Sequence, residues 1–406
     1  LACIEAGNIW ENDEMRISTQ AFFNVNLAGM SSLQQKLFRT QQQLGAGTKL
    51  LTPSDDPVAA ARALGVSQSM AETAQYASSR SRCTQMLSTE ESALQSATSV
   101  LENVKTLIVQ AGNGTLSDAD RSTLATALEG QFSQLLGVAN AGDGNGQYLF
   151  SGFKTDAPAF TEQANGTVTY DGDLGQRLVQ VDVSRQMAGA DDGATVFQSV
   201  QGSAPHVPVA AAGNTGSGIF SAASVGDAKD YQVSFGPLGQ YTVTDGATSF
   251  TGAWTAGQPI AFGGLKIRVD GAPAVGDSFT IASAATSGAD VFTTMRDLIN
   301  TLKTPALGTV GTAQLQNALS TANVKINNAY DNVLTIRSSV GSRLAELDSL
   351  NASGDQRKLI DQTYMSDLTD LDYASAISQF SEQQTNLKAA QQTFAQLSSI
   401  NLFNYL

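Results

Sequence analysis

The sequence predicts a mainly α chain with a β insertion. The expected architecture is a long antiparallel helical rod and coiled coil built from both chain ends, a β-hairpin region, and one small inserted all-β domain. Three observations predict it. Apolar side chains recur every seven residues near both ends of the chain. Long heptad rows continue inward from each end. Residues 186–285 hold 16 of the 37 glycines and five of the nine prolines, a density that suits short strands and turns rather than helices.

The first element is the N-terminal seam. Phe23, Met30, Leu37 and Leu44 stand seven apart, and Leu33 fills a slot between them. Residues 17–35 carry no charged side chain. The far end mirrors this. Tyr373, Ala376, Phe380, Leu387, Ala390, Phe394 and Leu397 follow the same spacing, and residues 383–406 carry one charge, Lys388. The opposite faces are Gln, Asn, Ser and Thr. A helix alone in water usually dresses its outer face with Lys and Glu, so an uncharged one is expected to meet protein on several sides. Phe23, Met30, Leu33, Leu37, Leu44, Phe380, Leu387, Phe394 and Leu397 are the expected assembly interface. These few large side chains cannot offset the entropy of ordering both ends, so the ends are expected to order only on assembly.

A hinge follows at "GTKLLTPSDDPVAAAR", residues 47–62. Pro53 pushes Thr52 out of the helical region. Asp56 is placed to cap a new helix with Pro57 at its first position, where a missing N–H costs nothing. Asp55 adds negative charge near the positive end of the helix dipole. No His, Cys or Glu stands nearby to make these acids a catalytic or metal site.

The restarted helix is expected to run over 57–111, roughly 80 Å at 1.5 Å per residue. Leu87, Leu94, Leu101 and Ile108 mark one row; Cys83, Ala97, Val104 and Ala111 mark the other. "GNGTLSDADR" breaks it, with Ser117 as the next cap and Asp120 as its acid, before a shorter helix to about residue 141. A third long helix is expected from about residue 312. Its row is Leu319, Ala322, Ile326, Ala329, Val333, Ile336, Val340, Leu347 and Leu350, interrupted by Arg343.

Between these helices "QYLFSGFKTDAPAF", "TVTYDGD" and "RLVQVDVS" read as strands and hairpins. "DYQVSF", "QYTVTD", "LKIRVDG" and "DSFTIAS" read as strands of the inserted domain.

Composition limits the function. The formal net charge is -14 and the pI is near 4.4, which argues against nucleic acid or anionic membrane as partners. No apolar run approaches the ~20 residues of a membrane-spanning helix. Two cysteines make no disulfide framework. Residues 1–14 are acidic and precede a natural-looking start at Met15, so they read as an extension. His206 is the single histidine and lacks triad or ligand partners in the pattern. "GDGNGQ" at 142–147 lacks the lysine and the strand-to-helix setting of a phosphate loop and reads as a turn. Asp191, Asp192 and Gly193 resemble the start of a calcium loop without its closing Glu. No enzymatic activity, metal or cofactor is expected.

"KLLTPSDDPVAAAR", "GQYLFSGFKTDAPAF" and "SDLTDLDYASAISQFSEQQTNLKAAQQTFAQLSSINLFNYL" resemble the flagellin superfamily, and most closely its hook-associated junction branch. "GDSFTI" at 276–281 gives a looser match in the inserted domain. The resemblance implies a secreted structural subunit, exported unfolded by the flagellar type III apparatus. It would stand in a ring at the hook–filament junction and bind other copies of itself, the preceding hook-associated protein, flagellin and an export chaperone. It also implies that the two chain ends pair in the inner core.

Flagellin itself is the alternative, since "LENVKTLIVQAGNGTLSDADR" is similar to a filament helix; an extracellular adhesin stalk is more distant. The hinge form "TPSDDPVAA" and the single small β domain favour the junction branch. The expected division is 1–14 as extension, 15–52 with 355–406 as the paired ends, 53–186 with 286–354 as the helical rod, and 187–285 as the β domain.

Overall fold

The computed structural model describes residues 19–227 and 229–399. The expected extension at 1–14 and the Leu397 side chain lie outside the described residues. The chain divides into two units, one of residues up to 74 and from 354 onward, the other of residues 75–353.

Helices dominate. In the first unit, α1 (Thr19–Ala46) and α7 (Tyr373–Ser399) pack on one another. The division between units falls within α2 (Pro57–Ala111) and α6 (Gly308–Thr369). The capping reasons are visible. Asp56 Oδ1 accepts from the N–H groups of Val58 and Ala59 at 3.0 and 2.9 Å, which satisfies two donors that the first turn of α2 leaves open. At α3 (Asp118–Ala139), Ser117 Oγ accepts from Asp120 N and Asp120 returns a carboxylate to Ser117 N, a reciprocal box that fixes the start.

The expected heptad rows line the core of the second unit. Leu87, Leu94, Leu101 and Ile108 are buried, as are Cys83, Ala97, Val104 and Ala111. From α6, Leu319, Ala322, Ile326, Ala329, Val333, Ile336, Val340 and Leu347 join the same cluster, with Leu350 partly buried against it.

Three departures from the sequence reading stand out. Tyr148 makes only an isolated bridge to Gly142, and residues 149–153 form turns, not a strand. Leu149 and Phe150 are buried, while Gly152 takes φ +67° and a Cβ there would meet the Asp173 carbonyl oxygen at 2.3 Å. Apolar content alone suggests a strand; the backbone instead folds back to place Leu149 and Phe150 in the core. Second, α5 (Val291–Lys303) is an additional helix. Asp290 caps it, and Val291, Phe292, Met295, Leu298, Ile299 and Leu302 are buried; the helix packs on α3. Third, α6 starts at Gly308 and continues to Thr369.

The β structure lies between α3 and α5 in the chain. Two hairpins pair β1 (Phe160–Glu162) with β2 (Val168–Tyr170), and β3 (Leu178–Asp182) with β4 (Arg185–Ala188). A short helix, α4 (Gly193–Phe197), follows.

The inserted strands form two antiparallel sheets. The first has the order β5 (Val207–Ala210), β12 (Ser278–Ala282), β7 (Tyr231–Phe235), β8 (Gln240–Thr244), β9 (Ser249–Ala253). The second has the order β10 (Pro259–Phe262), β11 (Leu265–Asp270), β6 (Ile219–Val225). Their inward residues, among them Tyr231, Val233, Ile267, Phe279 and Ile281, make a second hydrophobic cluster separate from the helical one. α6 meets these strands with amides: Asn317 accepts from Phe220 N at 3.1 Å and donates to Gly218 O at 2.8 Å.

Candidate assembly interface

The two chain ends build this surface from a repeat in which every seventh residue faces the partner helix. α1 and α7 run antiparallel. The Phe23 and Phe394 rings meet edge to face at 5.5 Å near one end of the pair. At the other end the backbone itself pairs: Lys49 N donates to Thr369 O at 2.8 Å, and Leu371 N to Gly47 O at 3.1 Å. Between them Thr40 Oγ1 donates to Gln383 Oε1 at 3.0 Å.

All of Phe23, Met30, Leu33, Leu37, Leu44, Phe380, Leu387 and Phe394 are half-buried, none fully. The fully buried positions on these two helices, among the described residues, are Thr40 and Ala376. Asn26, Thr40 and Gln383 occupy seam slots that a search for large apolar side chains passes over. Their positions seven or fourteen residues from seam members, or midway between them, are the available signal.

Tyr373, part of the seam by its spacing, is 51% exposed. Its hydroxyl stands against Gly47, which has φ +71°; a Cβ at Gly47 would meet that oxygen at 2.8 Å. A side chain at residue 47 is therefore disfavoured by conformation, and the Tyr373 hydroxyl would have to shift to admit it. Away from the seam the first unit leaves Val25, Leu27, Phe38, Leu64, Leu359 and Ile360 exposed.

The hinge residues occupy the turn between α1 and α2. Asp56 caps α2, and Pro57 is its first residue. Asp55 turns the other way. Its Oδ2 accepts from Leu51 N at 2.9 Å and Thr52 N at 3.0 Å, and its Oδ1 meets the Arg39 guanidinium at 2.9 Å. The Thr52 and Leu51 amides hold the Asp55 carboxyl below the usual carboxylate range. Pro53 lies inside the loop these bonds close. The carboxylate thus locks the turn onto α1. Its partner Arg39 stands sixteen residues upstream, beyond the reach of any local capping pattern.

His206 sits in an exposed loop, its Nε2 3.1 Å from Lys229 O. No helix of the described residues is long and apolar enough to cross a membrane.

Comparisons with known proteins agree on one family. The bacterial flagellin N-terminal helical region matches residues 17–155, and the flagellin C-terminal helical region matches 323–406. Between them, residues 209–283 match the D2-like domain of flagellar hook-associated protein 1. Flagellar hook-associated protein 3 of Salmonella typhimurium is 32% identical over 390 residues, which cover 96% of this chain and 99% of the relative. The crystal structure of Xanthomonas campestris FlgL is 28% identical with a TM-score of 0.66, covering 74% of this chain and 99% of that one. The flagellar junction protein FlgL of Legionella pneumophila is 26% identical with a TM-score of 0.66, covering 76% and 100%. Flagellin models match the two ends only, whereas the Salmonella relative aligns through the middle as well. The chain belongs to the flagellar hook-associated protein 3 family.

Proposed function

We propose that this chain is a structural, non-enzymatic subunit of the bacterial flagellum, an adaptor at the hook–filament junction that assembles through its paired N- and C-terminal helices. One observation carries the reading. The α1–α7 pair is uncharged along its seam and buries none of Phe23, Met30, Leu33, Leu37, Leu44, Phe380, Leu387 and Phe394 completely, so the interface is incomplete within one chain. Neighbouring copies would complete it, and the pair would become a coiled coil with Phe23, Met30, Leu33, Leu37, Leu44, Phe380, Leu387, Phe394 and Leu397 inside.

In this reading residues 15–52 and 355–406 form the inner core. Residues 53–186 and 286–354 form the helical rod, and 187–285 form the inserted β domain. The hinge of Pro53, Asp55, Asp56 and Pro57 sets the angle between rod and inner core. Partners are other copies, the preceding hook-associated protein, flagellin, and an export chaperone during secretion as an unfolded chain. A flagellin role is weaker, because flagellin models match only the ends and the middle matches a hook-associated domain.

Immunogold labelling of intact flagella tests the reading. A single band at the hook–filament boundary is expected. Label along the whole filament would identify a flagellin, and label away from the flagellum would exclude both.

A further inference from the structure

The glycine-rich turn at 142–147 has no part in the assembly seam, yet it walls a groove of about 370 Å³ against one face of α2. Arg82, Gln85, Met86 and Thr89 line one side at helical spacing, and Asp143, Asn145, Gln147 and Arg177 line the other. Asp143 closes the turn by accepting from Asn145 N at 2.8 Å and Gln147 N at 3.2 Å. The Asn145 and Gln147 amides are therefore already taken. What remains is cationic. Arg177 Nη1 donates to Gln147 Oε1 at 3.0 Å, while its Nη2 is buried without a partner. Arg82 makes no hydrogen bond or ion pair among the described residues.

We infer that this groove is a docking site for a carboxylate-bearing segment of a second copy of this chain, held by Arg82 and Arg177. Arg82 is exposed and its paired N–H groups match a carboxylate's two oxygens, while the charge of the half-buried Arg177 guanidinium adds to the attraction from the far wall of the groove. Two arginines against the single carboxylate of Asp143 leave the groove positive. The chain around it carries 37 acidic and 23 basic residues, so copies have surplus carboxylates to offer. The volume far exceeds the ~10–15 Å³ that one water needs, which suits a side chain with its backbone better than a lone ion. The acid comes from another part of the second copy's surface, which is compatible with the head-to-tail contact that a ring or filament requires. The inference rests on the self-assembly reading above.

The test uses the full chain under conditions where it assembles. Benzoylphenylalanine placed at Gln85, an exposed lining position, should cross-link copies on irradiation, with the captured peptide containing Asp or Glu of this chain. Arg82→Glu with Arg177→Glu should raise the concentration needed for assembly roughly tenfold or more. Arg82→Glu alone, at a residue with no internal partner among the described residues, should raise it without changing the melting temperature, and Arg82→Lys should retain most of the wild-type value. Unchanged assembly in the glutamate variants, beside a wild type that assembles, would overturn the site and leave the assembly reading intact. A wild type that stays monomeric would overturn both. Cross-links only to another protein, or to a peptide without an acid, would overturn the occupant.

Discussion

Replacing Leu387 and Phe394 with Asp is expected to abolish assembly and swimming while leaving the helical core of residues 75–353 folded. Both side chains are half-buried against α1 in one chain, and Phe394 packs on the Phe23 ring. Where the ends order only on assembly, their full burial belongs to that step and is worth roughly 1.5–3 kcal/mol each. Losing both weakens assembly by about 3–6 kcal/mol, a factor of about one hundred to ten thousand at 1.4 kcal/mol per tenfold. A carboxylate facing apolar neighbours adds a desolvation penalty in the same direction. The core of the other unit, built on Leu87, Leu94, Leu101, Ile326 and Val340, contains neither residue. Sedimentation and motility on soft agar read the assembly effect, and the main thermal transition reads the core. A double variant that assembles at the wild-type concentration would remove the seam from the account.

The second large effect belongs to Glu90. It falls on the row of Cys83, Ala97, Val104 and Ala111 and is fully buried, 0% exposed. Its Oε1 accepts from Asp191 N at 2.9 Å, while Oε2 has no partner. Asp191 pairs with Arg343, which also donates to Ala188 O at 3.2 Å. Two carboxylates thus lie near one guanidinium, which pairs with Asp191 and not with Glu90. Burial, with the Asp191 charge in second place, pushes the Glu90 carboxyl up from 4.5 to about 8.

The folded chain therefore holds this proton more tightly than the unfolded chain. Its stabilising contribution is fully present below about pH 4.5 and is lost as pH rises through about 8. Glu90→Gln keeps the acceptor for Asp191 N and stays neutral throughout. Each tenfold difference in proton affinity between the folded and unfolded chain is worth about 1.4 kcal/mol. With allowance for relaxation around the charge, the wild type is expected to lose about 2–4 kcal/mol relative to Glu90→Gln between about pH 5 and 9. Denaturant unfolding across that range measures it. Parallel stability profiles for the two proteins would show that Glu90 is already ionised in the fold.

Glu90 also shows what is legible in the sequence. The apolar members of the α2 and α6 rows are readable because a helix buried on one side needs them every three or four residues. Arg343 visibly interrupts its row, whereas Glu90 escapes notice in its own. Only the fold reveals that the two exceptions lie near each other, joined through Asp191, a loop residue some 100 positions from Glu90 and some 150 from Arg343. Local pattern carries no information about such partners.

The strands "DYQVSF", "QYTVTD", "LKIRVDG" and "DSFTIAS" are readable from alternation, and each is a strand in the structure. β5, β6, β9 and β10 are not: β5 and β10 contain Pro208 and Pro259, and β6 and β9 are rich in Ala, Ser, Thr and Gly. In contrast, α5 does carry a signal. Val291, Met295, Leu298 and Leu302 repeat at helical spacing directly after Asp290, a good cap. Within the seam, Thr40 and Gln383 escape because a hydrogen-bonded polar pair carries no apolar signal.

The central claim is that the chain ends acquire their order from neighbouring copies. Thr40 and Ala376 are the buried side chains of the α1–α7 pair among the described residues and the large seam side chains are only partly buried, to be set against the entropy of fixing two long helices. Hydrogen exchange on the dilute monomer and on assembled protein tests this most directly. The expected result is fast exchange in the monomer across residues 23–44 and 380–394, slow exchange there after assembly, and slow exchange around Leu94 and Ile326 in both. Equally slow exchange of the terminal helices in the dilute monomer would contradict the claim, since the ends would then fold without a partner.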